Sequence, residues 1–181
     1  NYAKYTFGYR VTMKHLILGG ARSGKSRFAE TVGLATNKKL IYIATSQALD
    51  DEMQARIQHH QTSRNARWET IEEPIELAAT LQKYATTDTC ILVDCLTLWL
   101  TNLLLTDETI FLREREALLN ALPQLTGDIL LVSNEVGMGI VPLDALSRRF
   151  VDEAGRLHQQ LAQHCDVVSL VVAGLPLTLK S

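Results

Sequence analysis

The residues Gly19-Gly20-Ala21-Arg22-Ser23-Gly24-Lys25-Ser26 satisfy the spacing G-x-x-x-x-G-K-[ST]. Glycines let the backbone wrap with its N–H groups turned inward, and a helix that follows adds its positive end, so such a loop cradles a polyphosphate. In that cradle Lys25 is expected to meet the β- and γ-phosphates and Ser26 to ligate Mg2+. A second Mg2+ ligand should close a later strand, and Ile91-Leu92-Val93-Asp94 offers Asp94 there. Capping a helix that begins near Leu96 is the other task open to that aspartate.

A phosphate loop does not by itself separate a kinase from an ATPase or a GTPase switch. The segment Asp50 to Arg64 narrows the choice. Its acids lead and its bases follow, which suits a helix dipole, and Arg56, His60 and Arg64 stand four apart on one side of any continuous helix. A neutral imidazole between two guanidiniums can attack a phosphoryl group whose charge those cations offset. The same pattern also suits a solvated helix whose charges complement its dipole. His59 and His60, as helix neighbours, point about 100° apart, which argues against joint metal ligation.

These groups need elements to hold them. From His15 onward, short apolar runs alternate with segments of helical period, the pattern of βα units around a mostly parallel sheet. Strands are expected at 15–19, 39–44, 90–94, 128–133 and 167–172, with a weaker one at Trp68 to Ile71. Helices are expected at 25–35, 49–63, 75–85, 96–105, 112–122 and 143–163, with Pro74 opening the third. The phosphate loop then lies between the first strand and the first helix, as its chemistry requires. The fold class is α/β, P-loop NTPase-like, with flanking helices.

Composition sets the outer bounds. The chain has 181 residues, 46% hydrophobic and 21% charged, with 18 Lys+Arg against 20 Asp+Glu, the balance of a globular domain without the basic excess of a nucleic-acid binder. No apolar run approaches the roughly 20 residues of a membrane helix. Cys90, Cys95 and Cys165 lack paired zinc-site spacing and fit buried, reduced thiols in the cytoplasm. Residues 1–12 precede Met13 and the first strand and are read as an N-terminal extension or a remnant of cloning, leaving 13–181 as one domain. Asn134-Glu135-Val136-Gly137-Met138-Gly139 follows an apolar strand and is expected to form a loop close to a ligand or another subunit. Arg148, Arg149 and Arg156 fit either phosphate contacts or a solvated helix face.

Taken together, the chain resembles the bifunctional adenosylcobinamide kinase and adenosylcobinamide-phosphate guanylyltransferase family of cobalamin biosynthesis. The resemblance spans Leu16 to about Val172. It rests on the phosphate loop, Tyr-Ile-Ala-Thr-Ser at 42–46, Asp-Asp-Glu-Met at 50–53, Arg-Ile-x-x-His-x-x-x-Arg at 56–64, Trp-Glu-Thr-Ile-Glu at 68–72, Val-Asp-Cys-Leu-Thr at 93–97 and Ser133 through Pro142. It implies phosphorylation of the aminopropanol hydroxyl of adenosylcobinamide with ATP or GTP, then transfer of GMP from GTP to the phosphate, giving adenosylcobinamide-GDP and pyrophosphate. It also implies a GMP-histidine intermediate at His60, nucleotide contacts from Thr45, Ser46, Gln47, Gln61, Thr62, Ser63, Arg64 and Glu72, and a cytoplasmic homotrimer with sites between subunits. Two departures stand out: Asn65 where the family usually has Pro or Gly, and His158 where Asn is more usual.

Overall fold

The computed structural model describes residues 12–46 and 65–181. Its frame is one sheet of seven strands: β1 (Lys14–Gly19), β2 (Lys39–Ala44), β3 (Trp68–Glu72), β4 (Thr89–Asp94), β5 (Asp128–Asn134), β6 (Val167–Val172) and β7 (Leu175–Lys180). They lie in the order β3-β2-β4-β5-β1-β6-β7. All neighbours are parallel except β6 and β7. The inner strands are buried along nearly their whole length, which is why their sequences read as continuous apolar runs without alternation.

Helix α1 (Lys25–Leu34) packs on one face through Phe28 and Ala29, beside Trp68, Tyr42 and Leu130. Helices α2 (Leu77–Tyr84), α3 (Leu96–Leu104), α4 (Glu108–Ala121) and α5 (Ala145–His164) cover the other, around Leu81, Trp99, Leu103, Leu118 and Leu157. Among the described residues no helix is long and apolar enough to cross a membrane. All three cysteines are free and buried, and burial pushes the Cys90 and Cys165 thiols up to about 12, so they stay protonated.

The structure differs from the sequence reading in three places. Pro74 does not open a helix: Glu73 Oε1 accepts from the N–H groups of Ile75 and Glu76, and α2 begins only at Leu77. Helix α4 starts at Glu108, four residues before the expected 112, because Asp107 Oδ1 caps it by accepting from Thr109 N and Ile110 N. Strand β7 was not anticipated. The expected helix at 49–63 and all but Thr12 of the extension 1–12 lie outside the described residues.

One buried group makes the fold pH-sensitive. His15, in β1, is fully buried, its Nε2 is 2.9 Å from Ser169 Oγ, and burial lowers its pKa from 6.5 to about 4. The unfolded chain therefore takes up this proton first. Stability from the neutral ring is complete above about pH 6.5, drains as pH falls, and is exhausted below about pH 4. The expected loss from this site is about 3 kcal/mol. Urea denaturation at pH 7 and pH 4.5 checks it: His15→Gln should flatten much of the slope, and an unchanged slope would assign the acid sensitivity elsewhere.

Candidate functional site

Because β1 to β5 run parallel, their C-terminal ends share one edge of the sheet, where ligands of open α/β sheets gather. Across that edge stand, in order, the phosphate loop after β1, Asn134 at the end of β5 with Glu135 after it, Asp94 at the end of β4, Thr45 and Ser46 after β2, and Glu72 at the end of β3.

The phosphate loop is shaped by steric constraint. A Cβ on Gly19 would come within 2.5 Å of Ser23 Oγ and 2.6 Å of the Val171 carbonyl, so only glycine lets β1 turn into the loop here. Gly24 has φ +94 and Arg22 φ 54, left-handed conformations that turn successive N–H groups toward one centre. The β6–β7 turn braces the loop from outside, with Gly174 N–H donating to Ser23 O at 2.8 Å. Gly20, Ala21 and Arg22 are exposed, so the cradle is open, while Lys25 is buried and donates from Nζ to Gly20 O at 3.1 Å. Ser26, in the first turn of α1, is half-buried. Ser23 Oγ is buried without a hydrogen-bond partner among the described residues and is the atom that a Cβ on Gly19 would strike.

Asp94 does not cap α3. Cys95 holds the cap position, and the Asp94 carboxylate instead accepts from Tyr42 OH at 3.0 Å through Oδ2. One strand, β5, separates it from the phosphate-loop strand. Thr45 is fully buried and its hydroxyl both donates to Cys95 O (2.7 Å) and accepts from Cys95 N (3.0 Å), so its side chain fixes the Asp94–Cys95 backbone. Ser46 is half-buried beside it. Glu72 is exposed at the register position of Ala44, four strands from the loop, or about 19 Å at 4.8 Å per strand. The fold thus brings the loop and Asp94 close and leaves Glu72 at the far end. Gln47, His60, Gln61, Thr62, Ser63 and Arg64 lie outside the described residues.

Several positioning residues escaped the sequence reading. Asn102 is buried in α3 and donates from Nδ2 to Thr45 O (2.7 Å) and Pro74 O (3.0 Å), tying the ends of β2 and β3 together. An amide within the apolar run Leu96–Leu104 was the available signal. Thr97 Oγ1 accepts from Asn134 Nδ2 at 2.8 Å and sits 3.1 Å from Cys95 Sγ, linking the β4 and β5 tips. His158, in α5, shares a 2.7 Å hydrogen bond with Ser133 Oγ and lies 3.8 Å from Glu135 Oε2. Burial lowers its pKa, and the Glu135 carboxylate partly offsets that. Arg148 donates to the carbonyls of Pro142 and Leu143, Arg149 pairs with Glu108 and Arg156 with Glu153, so all three have partners in the chain itself.

Comparison with known proteins identifies the family. The model of the family described as cobinamide kinase / cobinamide phosphate guanyltransferase matches residues 15–179. The bifunctional adenosylcobalamin biosynthesis protein CobP of Pseudomonas aeruginosa is 59% identical over 169 residues, covering 93% of this chain and 98% of that protein. The bifunctional adenosylcobalamin biosynthesis protein CobU of Salmonella typhimurium is 43% identical over 182 residues, covering 93% and 100%. A solved protein of Pyrococcus horikoshii OT3 superposes with a TM-score of 0.56 over 100% of this chain and 92% of its own, at 10% identity, a likeness of fold alone.

Proposed function

The chain belongs to the cobinamide kinase / cobinamide phosphate guanyltransferase family, and we propose that its two reactions, phosphorylation of adenosylcobinamide and transfer of GMP from GTP to adenosylcobinamide phosphate in cobalamin biosynthesis, use one phosphate cradle. The observation that carries this reading is the strained loop Gly19–Ser26 opening at the strand edge that also carries Asp94. Phosphoryl transfer depends on positioning and on charge stabilisation, and the loop supplies both. Lys25 exchanges its bond to Gly20 O for the β- and γ-phosphate oxygens, while the N–H groups of the loop hold the rest.

The Ser26 hydroxyl and the Asp94 carboxylate are hard oxygen donors of the kind that take Mg2+ together with substrate phosphates. When bound there, Mg2+ would neutralise charge on the transferring and leaving oxygens. Donors are GTP for the guanylyl step and ATP or GTP for the kinase step. The two steps open different bonds, so the reacting partners meet the nucleotide at different phosphorus atoms. The acceptor hydroxyl takes the γ-phosphoryl group. His60 attacks the α-phosphorus of GTP and pyrophosphate leaves with the electron pair of the broken bond. The acceptor phosphate then displaces His60 to give adenosylcobinamide-GDP. Arg22, Thr45, Ser46, Gln47, Gln61, Thr62, Ser63, Arg64 and Glu72 complete the nucleotide surroundings in this reading, with Thr45 acting through the Cys95 backbone and Glu72 far from the phosphates.

The same reading makes 13–181 one domain working in the cytoplasm, where buried thiols stay reduced, as a homotrimer. Met138, Ile140, Val141, Leu143 and Leu146 are exposed on a single chain, an apolar surface suited to a neighbouring subunit. Sedimentation equilibrium reads the subunit number, and a monomer mass would remove the trimer. The function itself is tested by assaying the half-reactions separately: label from γ-labelled triphosphate should appear on adenosylcobinamide, and label from α-labelled GTP on adenosylcobinamide phosphate. A chain that hydrolyses nucleotide but labels neither acceptor would overturn the reading.

A further inference from the structure

Between the phosphate loop and Asp94 the sheet inserts β5, and the residue directly after that strand is Glu135. Its backbone is pinned to the loop, since Glu135 N–H donates to Gly19 O at 3.0 Å. Its carboxylate is held from two sides. Oε1 accepts from Gly137 N–H at 2.6 Å, and Oε2 faces His158 Nδ1 at 3.8 Å. The His158 ring is itself fixed by the fully buried Ser133 hydroxyl. Beside this carboxylate lies a cleft of about 360 Å³, walled by Ala21 of the phosphate loop, Thr97, Leu98, Asn134, Val136 and Phe150. Glu135 is the one ionisable side chain among the described residues that line it.

We propose that Glu135 is the base of the kinase step and that this cleft holds the hydroxyl-bearing arm of the acceptor. The assignment rests on the functional reading above and extends it to the acceptor side. An alcohol arm suits the cleft because its walls mix apolar surface with neutral polar groups, and one wall is the phosphate loop itself. A base is needed there because a neutral hydroxyl must shed its proton as it becomes a phosphate ester. In the step, the acceptor oxygen forms its bond to the γ-phosphorus and the bond from that phosphorus to the β-phosphate oxygen breaks. The electron pair stays with the departing nucleoside diphosphate, and the hydroxyl proton passes to the Glu135 carboxylate and then to water. The cleft also disfavours its own product, since a phosphorylated arm would lie against a carboxylate, and that repulsion moves the product on to the guanylyl step.

The two half-reactions separate this role from a structural one, because adenosylcobinamide phosphate is already an anion and needs no base. Glu135→Gln in the full chain should lower kinase kcat at least about 100-fold, with KM for nucleotide and guanylyl transfer to preformed adenosylcobinamide phosphate within about threefold of wild type. Kinase kcat within about tenfold of wild type, or an equal fall in both half-reactions, would overturn the assignment. Thr101→Phe, which narrows the same cleft from α3 without touching the carboxylate, carries the test should the glutamine variant melt early. It should raise KM for adenosylcobinamide at least about tenfold and leave KM for nucleotide unmoved, and an unchanged acceptor KM would overturn the cleft. Wild-type protein lacking both activities would overturn the functional reading and this assignment together, whereas active wild type with unaffected variants overturns this assignment alone.

Discussion

Lys25→Ala should depress both half-reactions by at least about two orders of magnitude, because in the proposed mechanism each begins with a triphosphate in the same cradle and would lose the same charge-stabilising cation. The structure makes this a clean experiment. Lys25 Nζ donates to the Gly20 carbonyl at 3.1 Å, and Gly20 is exposed, so water can replace the lost donor and the stability cost should stay near ~1 kcal/mol. Lys25 also sits in the first turn of α1, where alanine is a good helix former. The variant should therefore melt close to wild type, bind a fluorescent triphosphate weakly, and turn over neither acceptor. Turnover of either acceptor within about fivefold of wild type would mean that the loop does not serve that reaction.

The parts of this site that the sequence displays are those whose geometry is local. Gly19, Gly24 and Lys25 are spaced by the loop itself, and the glycines are demanded by a 2.5 Å approach and a φ of +94, so the motif and the fold make one statement. Asp94 was legible for a related reason. A carboxylate at the end of an apolar run marks a strand tip, and in a parallel sheet every such tip reaches the same edge.

What stayed hidden is tertiary. Leu175–Lys180 alternates leucines at 175, 177 and 179 with other residues, a strand-like period that Pro176 masks, yet it is an edge strand where proline is tolerated, and its turn places Gly174 against Ser23. The same holds for the Glu135 carboxylate. His158 lies in α5, and its contact with Glu135, just after β5, exists only because α5 packs across the sheet beside β1 and β5. Local propensity carries no trace of such a pair. Asp107 is the opposite case: a capping aspartate stood in plain view, but helical periodicity alone placed the start of α4 at 112.

His60→Ala should abolish covalent labelling by α-labelled GTP and reduce guanylyl transfer by at least about a thousandfold, while leaving most of the kinase activity. The asymmetry follows from where the chemistry sits. In the proposed mechanism the γ-phosphoryl transfer would be served by Lys25, Ser26 and Asp94, which belong to α1 and β4, and so would not need an imidazole. Opening the bond between the α- and β-phosphates through a covalent intermediate does need a nucleophile, and a neutral imidazole is one near pH 7. His59 supplies the control. In a continuous helix only His60 shares a side with Arg56 and Arg64, the cations that would offset the charge of the attacked phosphoryl group, so His59→Ala should still label. A phosphorus–nitrogen bond is acid-labile and alkali-stable, so the wild-type adduct should survive alkaline denaturation and disappear in acid. Label that persists in His60→Ala and vanishes in His59→Ala would move the nucleophile to the neighbouring ring. Guanylyl transfer at wild-type rate in both variants, without any adduct, would replace the covalent route by direct attack of the acceptor phosphate on the α-phosphorus.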